Sequence, residues 1–230
     1  PLRCDFFSVL VGVEGKKLAM TALSIFGDVR GPCAELAGRD VALSTALAAI
    51  RVPHIRKRSE GFGALFRIIV EQQVSVASAQ AIWARCQAGL KPMTAARVLA
   101  LGEAQLRTLG LTRQKAHYVY CLAEAVKARR FSFAAVARAD DDTARALLTN
   151  LKGVGPWSAG IYLLFCEGRV DIWPPGDIAM EHAYAHAAGL DQKPASADLN
   201  DIAEGWAPWR GLAAHILWTY YAHIRGRDPI

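Results

Sequence analysis

Between Leu151 and Gly160 the chain reads Leu-Lys-Gly-Val-Gly-Pro-Trp-Ser-Ala-Gly, a run whose residue types suit an anion. Gly153 and Gly155, one residue apart, allow a tight hairpin. Pro156 fits the first position of a following helix, where its missing N–H costs nothing. Outward amides at such a helix start hold a phosphate without reading any sequence. A bare Gly-x-Gly also fits an ordinary helix-to-helix turn. Further on, Pro175-Gly176-Asp177 introduces the helical run Ile178 to Ala188, with Asp177 lying 22 residues after Gly155. An Asp at that place is an N-cap by position. In a cleft, the same carboxylate can stabilise a positive charge that develops during a reaction.

These groups need a frame, and the sequence supplies one apolar-periodic segment after another, with neither repeats nor low-complexity regions. Ala64 to Val70, Ser75 to Ala88 and Thr94 to Ala100 fit short helices. Thr112 to Lys127 fits a longer one, with Thr112 as N-cap and Val119, Leu122, Ala123 and Val126 on one face. Asp140-Asp141-Asp142 reads as an acidic helix start facing the positive end of the dipole. Arg51 to Ser59 is turn-rich and basic, either a solvated linker or a phosphate-contacting patch. In residues 1 to 40, Ser8 to Gly15 could be a strand and Lys17 to Phe26 a helix, and no function attaches to them.

Hydrophobic residues make up 53% of the 230 and charged residues 21%, which excludes a disordered chain. The longest charge-free stretches, Gly153 to Cys166 and Gly211 to Ile224, have 14 residues each. A membrane-spanning helix needs about 20, so no membrane partner is expected. A net charge of +6 is compatible with a polyanionic partner. The five cysteines are scattered, forming neither a disulfide framework nor a metal cluster, which points to a reducing cytoplasm. The first residues carry no signal-peptide pattern.

The Leu151 to Ala159 hairpin with Pro175-Gly176-Asp177 resembles the helix-hairpin-helix DNA glycosylase superfamily. Ile69-Val70-Glu71-Gln72-Gln73-Val74-Ser75-Val76 and Trp206-Ala207-Pro208-Trp209-Arg210-Gly211-Leu212-Ala213-Ala214-His215-Ile216-Leu217-Trp218 are similar to motifs of its 3-methyladenine DNA glycosylase II branch. The four motifs, in the family's order, lie between about residues 40 and 225. The resemblance implies an all-α fold, two helical subdomains flanking an active-site cleft. It assigns residues 41–230 to that domain and leaves 1–40 as a segment of uncertain role.

By the same resemblance Asp177 matches the catalytic aspartate, which in its ionised form stabilises the oxocarbenium-like sugar and orients water. Trp157 and Trp218 match aromatic pocket walls, on which a cationic base can stack with about 0.5 to 2 kcal/mol; taken alone, each tryptophan reads as core packing. Gln72 matches a residue lining the base site. Gln73 falls at the wedge that fills the gap left by the flipped nucleotide, where relatives use an apolar side chain. The Gly153 and Gly155 amides and Lys152, which otherwise reads as a solvated charge, are expected to contact phosphates, joined by Arg56-Lys57-Arg58 if that patch faces DNA.

Strand-cutting members carry a lysine two residues after the second hairpin glycine, where this chain has Trp157, so no lyase activity is expected. Iron–sulfur members need four closely spaced cysteines near the C-terminus, and the last here is Cys166. His182 and His186 are four apart on one helical run, yet without a His-Glu-x-x-His order or a third ligand they read as structural or DNA-facing. No cofactor and no metal are expected. The implied protein is a monomeric, monofunctional enzyme that excises alkylated purines of the 3-methyladenine and 7-methylguanine type from damaged double-stranded DNA, in the cytoplasm of a bacterium or the nucleus of a eukaryote. Alternatives are a glycosylase for uracil, hypoxanthine or oxidised bases, which would keep Asp177 and alter the pocket, and a non-catalytic DNA-binding module, which would have no use for Asp177.

Overall fold

Side-chain caps fix where the helices of this protein begin. The computed structural model describes residues 28–228, and the readings placed on Ser8 to Gly15 and Lys17 to Phe26 lie outside them. The described residues form twelve α-helices, one π-helical turn and no strand. Helices α1 (Arg30–Arg39) and α2 (Val41–Ile50) are followed by the linker 51–61, then by α3 (Phe62–Glu71), α4 (Val76–Gly89), α5 (Ala95–Thr108) and α6 (Arg113–Lys127). The short α7 (Phe133–Arg138) and α8 (Asp141–Thr149) lead to the hairpin and α9 (Pro156–Ile161), which runs into the π turn Tyr162–Cys166. Helices α10 (Ile178–Ala188), α11 (Ser196–Glu204) and α12 (Arg210–Ile224) complete the chain.

Ser75, Thr94, Thr112, Ser132 and Asp140 each accept a backbone N–H from the first turn of the helix they precede. The segment read as Thr94 to Ala100 continues to Thr108, with a break at Gly102, whose φ is +78°. On α6, Val119, Leu122 and Ala123 are buried and Val126 is partly so.

The helices gather into two lobes. Helices α1, α2, α10 and α12 pack together as one, and α3 to α9 form the other. Between them, the linker runs along the core rather than through solvent. His54 N–H donates to Thr219 Oγ1 at 2.9 Å, Arg58 N–H to the Phe165 carbonyl at 2.8 Å and Gly61 N–H to Tyr162 Oη at 3.0 Å. These bonds turn Arg56 and Arg58 inward, while Arg51, His54 and Lys57 stay exposed, so the basic stretch is solvated only in part.

Helix α1 belongs to the same packed unit through buried Cys33 and Leu36. Asp40 then joins several elements. Its Oδ1 caps α2 through the Ala42 and Leu43 amides, and its Oδ2 accepts Trp206 Nε1–H at 3.0 Å and the Tyr184 hydroxyl at 3.4 Å. Elsewhere the guanidinium of Arg169, 2% exposed, donates to Glu167, Asp141 and the Val136 carbonyl, tying the end of the π turn to α7 and α8. Asp40→Ala should lower stability by about 2 kcal/mol, because it removes a cap and leaves the buried Trp206 indole N–H without its acceptor. Urea unfolding monitored by circular dichroism measures the loss, and Asp40→Asn should recover part of it.

Candidate functional site

Asp177 stands where the two lobes face each other. Gly176 precedes it at φ +75°, a left-handed turn that suits glycine and sets Asp177 at the N-cap of α10. Oδ1 of Asp177 accepts the Ala179 and Met180 amides at 3.0 and 3.2 Å, while Oδ2 accepts Trp157 Nε1–H at 2.9 Å. The carboxylate therefore has a fixed orientation.

Two cavities meet at this group. One, of 380 Å³, lies between α3–α4 and α10–α12 and is lined by Asp177, Arg56, Val76, Trp218 and Tyr221, among others. The other, of 750 Å³, opens on the far side of Asp177, toward Trp157, Pro156, Gln72 and Gln73. Trp157 reaches Asp177 with its indole edge, so it orients the carboxylate as well as walling the outer cavity. Trp218, 6% exposed, packs edge-on against Phe165 at 5.2 Å and against His215 at 5.8 Å. Arg56, which lines the same cavity, lies over its ring with the guanidinium carbon 5.2 Å from the ring centroid.

The Gln72 amide nitrogen donates to the Gly153 carbonyl at 2.8 Å and to Ser158 Oγ at 2.9 Å. It thereby pins the hairpin to the end of α3. Lys115, buried on α6, donates to the carbonyls of Val70 and Gln72 at 2.8 and 2.6 Å and closes the C-terminus of the same helix. Burial pulls its amine below the usual lysine range. Gln73 follows at φ +52°, a strained conformation for a side chain with a Cβ, and is exposed beside the exposed Val74 at the tip of this turn. Gln72 and Gln73 thus border the outer cavity together with Asp177.

In the hairpin, the Val154 N–H closes a turn onto the Leu151 carbonyl at 3.0 Å, and Lys152 is exposed. Gly153 has φ +84°, and a Cβ there would sit 2.2 Å from the Tyr118 ring. Gly155 has an extended φ of −88° and open space where a Cβ would go. Only the first glycine is thus demanded by the fold. The second leaves the backbone bare toward solvent.

His186 Nδ1 lies 2.9 Å from Tyr220 Oη and His182 stacks on Tyr221 at 6.5 Å. No group of three or more possible metal ligands occurs among the described residues. Burial, aided by the charge of Arg56, pushes the wholly buried His215 imidazole down to about 3. Its Nδ1 accepts the Arg56 N–H at 3.4 Å.

With this geometry in place, residues 66–208, more than half of the chain, match the family model described as HhH-GPD superfamily base excision DNA repair protein. The chain belongs to that superfamily. It is similar to the protein YfjP of Bacillus subtilis, 28% identical over 128 residues that make up 56% of this chain and 44% of that protein. It is also similar to the alkylbase DNA glycosidase-like protein mag2 of Schizosaccharomyces pombe, 24% identical over 159 residues, 67% of this chain and 75% of that protein. The chain thus spans less than half of the first relative's length and three quarters of the second's. Among solved structures, the 3-methyladenine DNA glycosylase Mag1 of Schizosaccharomyces pombe in complex with abasic DNA superposes with a TM-score of 0.72 at 21% identity, covering 82% of this chain and 96% of that one. That likeness is one of fold, two helical lobes around a cleft.

The roles of Arg56, Lys115 and the Trp157 indole edge escape the superfamily motifs. Arg56 lies in a loop rich in other charges, and only its contacts distinguish it. Lys115 carried a signal in retrospect, a lysine among the buried positions of an otherwise amphipathic helix. The hairpin glycines give a direct test. Gly153→Ala should cost about 2 kcal/mol or more, from its φ and the Tyr118 contact, whereas Gly155→Ala should stay within about 0.5 kcal/mol. Thermal unfolding of the two variants checks the contrast.

Proposed function

We propose that this chain is a monofunctional DNA glycosylase that removes alkylated purines from duplex DNA. The observation that carries the reading is the Asp177 carboxylate, held by two amides and an indole N–H at the junction of two cavities in an inter-lobe cleft. A nucleotide rotated out of the duplex reaches that cleft at a cost of a few kcal/mol for unstacking.

The bond between C1′ and the purine nitrogen then breaks with its electron pair going to the base. Positive charge gathers on the sugar, and the fixed carboxylate offsets it without reorganising. Water adds at C1′, its proton leaves, and an abasic site remains. A purine methylated on a ring nitrogen is already cationic and departs as a neutral base, which lessens the need for a general acid. In this reading Trp157 is a positioning residue for Asp177. Gln73 is the wedge, carried on the strained turn that Lys115 and Gln72 brace.

Two observations support the absence of strand cleavage. Trp157 stands where a lyase would carry its lysine, and the buried Lys115 amine is committed to two backbone carbonyls. Lys152 and the hairpin backbone are the proposed phosphate contacts. The enzyme acts as a monomer wherever the DNA lies, in cytoplasm or nucleus. No helix of the described residues is long and apolar enough to cross a membrane.

Duplexes bearing one defined alkylated base, treated with alkali after incubation, test the proposal. Wild type should yield alkali-dependent breaks, and Asp177→Asn should lower the single-turnover rate at least about 100-fold. No base release from wild type, or equal release by Asp177→Asn, refutes the mechanism, and breaks without alkali refute the monofunctional assignment. Trp157→Phe keeps the ring and loses the donor, so kcat should fall about tenfold with KM nearly unchanged. Lys152→Ala should weaken binding evenly across sequences and reduce the salt slope by about 1, as read by fluorescence anisotropy between low and physiological salt.

A further inference from the structure

The cavity beside Asp177 already contains a cation. Arg56 comes from the linker, and its guanidinium carbon lies 5.2 Å from the Trp218 ring centroid and 5.6 Å from that of Phe165. Its backbone N–H is engaged by His215, which fixes where the side chain starts. Neighbouring Arg58 is paired with Glu71 at 2.5 Å. The Arg56 guanidinium, by contrast, donates no hydrogen bond to an acceptor among the described residues, although the charges of Asp177 and Glu71 act on it. Burial and the charge of Arg58 push it down to about 10, which leaves it protonated at neutral pH.

Two consequences follow for a base that enters this cavity. Arg56 overlies the Trp218 ring, so a cationic base of either methylated type meets like charge there, and charge does not separate the two. A guanidinium also has only donors, so it can satisfy a carbonyl oxygen and cannot satisfy an exocyclic amine. A site built around such a donor discriminates strongly, because a base without the acceptor leaves the buried group unpaired. When the glycosidic electron pair moves onto a purine with a carbonyl at C6, part of the charge reaches that oxygen, where a guanidinium stabilises it.

We propose that Arg56 is the specificity-determining residue of this pocket, selecting bases with a carbonyl oxygen at C6, of the 7-methylguanine or hypoxanthine type, over bases with an amine at C6, of the 3-methyladenine type. The proposal rests on the glycosylase reading and narrows its substrate class.

Wild type, Arg56→Gln and Arg56→Lys, each checked for fold by circular dichroism, are incubated with dimethyl-sulfate-treated DNA. Released 7-methylguanine and 3-methyladenine are quantified by chromatography, and each rate is divided by its uncatalysed rate. The normalised ratio should exceed about tenfold in wild type, fall toward one in Arg56→Gln and be partly kept in Arg56→Lys. A ratio near one in wild type, or an unchanged ratio in folded Arg56→Gln, overturns the proposal. If Arg56→Gln does not fold, wild type decides alone on duplexes carrying hypoxanthine or purine, which lacks the C6 oxygen. There a normalised preference for hypoxanthine of about tenfold is expected, and equal rates overturn the role of Arg56. Release of no base from any substrate refutes the glycosylase reading itself, a result distinct from release without selectivity.

Discussion

The contact on which the site depends is the carboxylate of Asp177, shared between the first turn of α10 and the indole of Trp157. One oxygen closes a helix of one lobe, and the other is held by the helix that leaves the hairpin. A side chain used in this way cannot rotate toward solvent without breaking three hydrogen bonds, each worth about 1 kcal/mol or more when charge-assisted. Helix capping and the fixed orientation of the carboxylate in the cleft are thus met by the same atoms.

The neighbouring elements keep this contact in register. Gln72 ties the hairpin to the end of α3, Lys115 closes that helix end from α6, and Tyr118 packs where any side chain at Gly153 would have to go. The turn at Gln73 is left protruding at a positive φ. Strain of that kind persists only where the surroundings over-determine it, and here they do so through two long polar side chains reaching backbone carbonyls. The proposed wedge role of Gln73 draws on this combination of an exposed tip and a braced base.

Charge is distributed less simply than the net +6 implies. Arg56 and Arg58, which look like surface charge in the sequence, turn inward over Phe165 and Trp218, while Lys57 and Lys152 stay exposed. The pocket therefore combines an anion at Asp177 with a cation at Arg56. That pairing separates this chain's cleft from a purely aromatic one, and on the glycosylase reading proposed above it bears on which bases fit.

The sequence by itself determined many of the helical elements, because apolar spacing and capping residues are local signals. Ile178 to Ala188 lies where its pattern puts it, Thr112 and Asp140 cap the helices they precede, and Asp177 is marked by the Pro-Gly turn before it. The hairpin and the superfamily were legible for the same reason. Tertiary structure alone decided what each candidate side chain touches. Gln72 spends its amide on the hairpin, Trp157 presents an N–H rather than a face to Asp177, and Arg56 takes the ring of Trp218. Their partners are 81, 20 and 162 residues away along the chain, and no local rule of spacing or charge carries information across such distances. Only the packing of the two lobes brings these groups together.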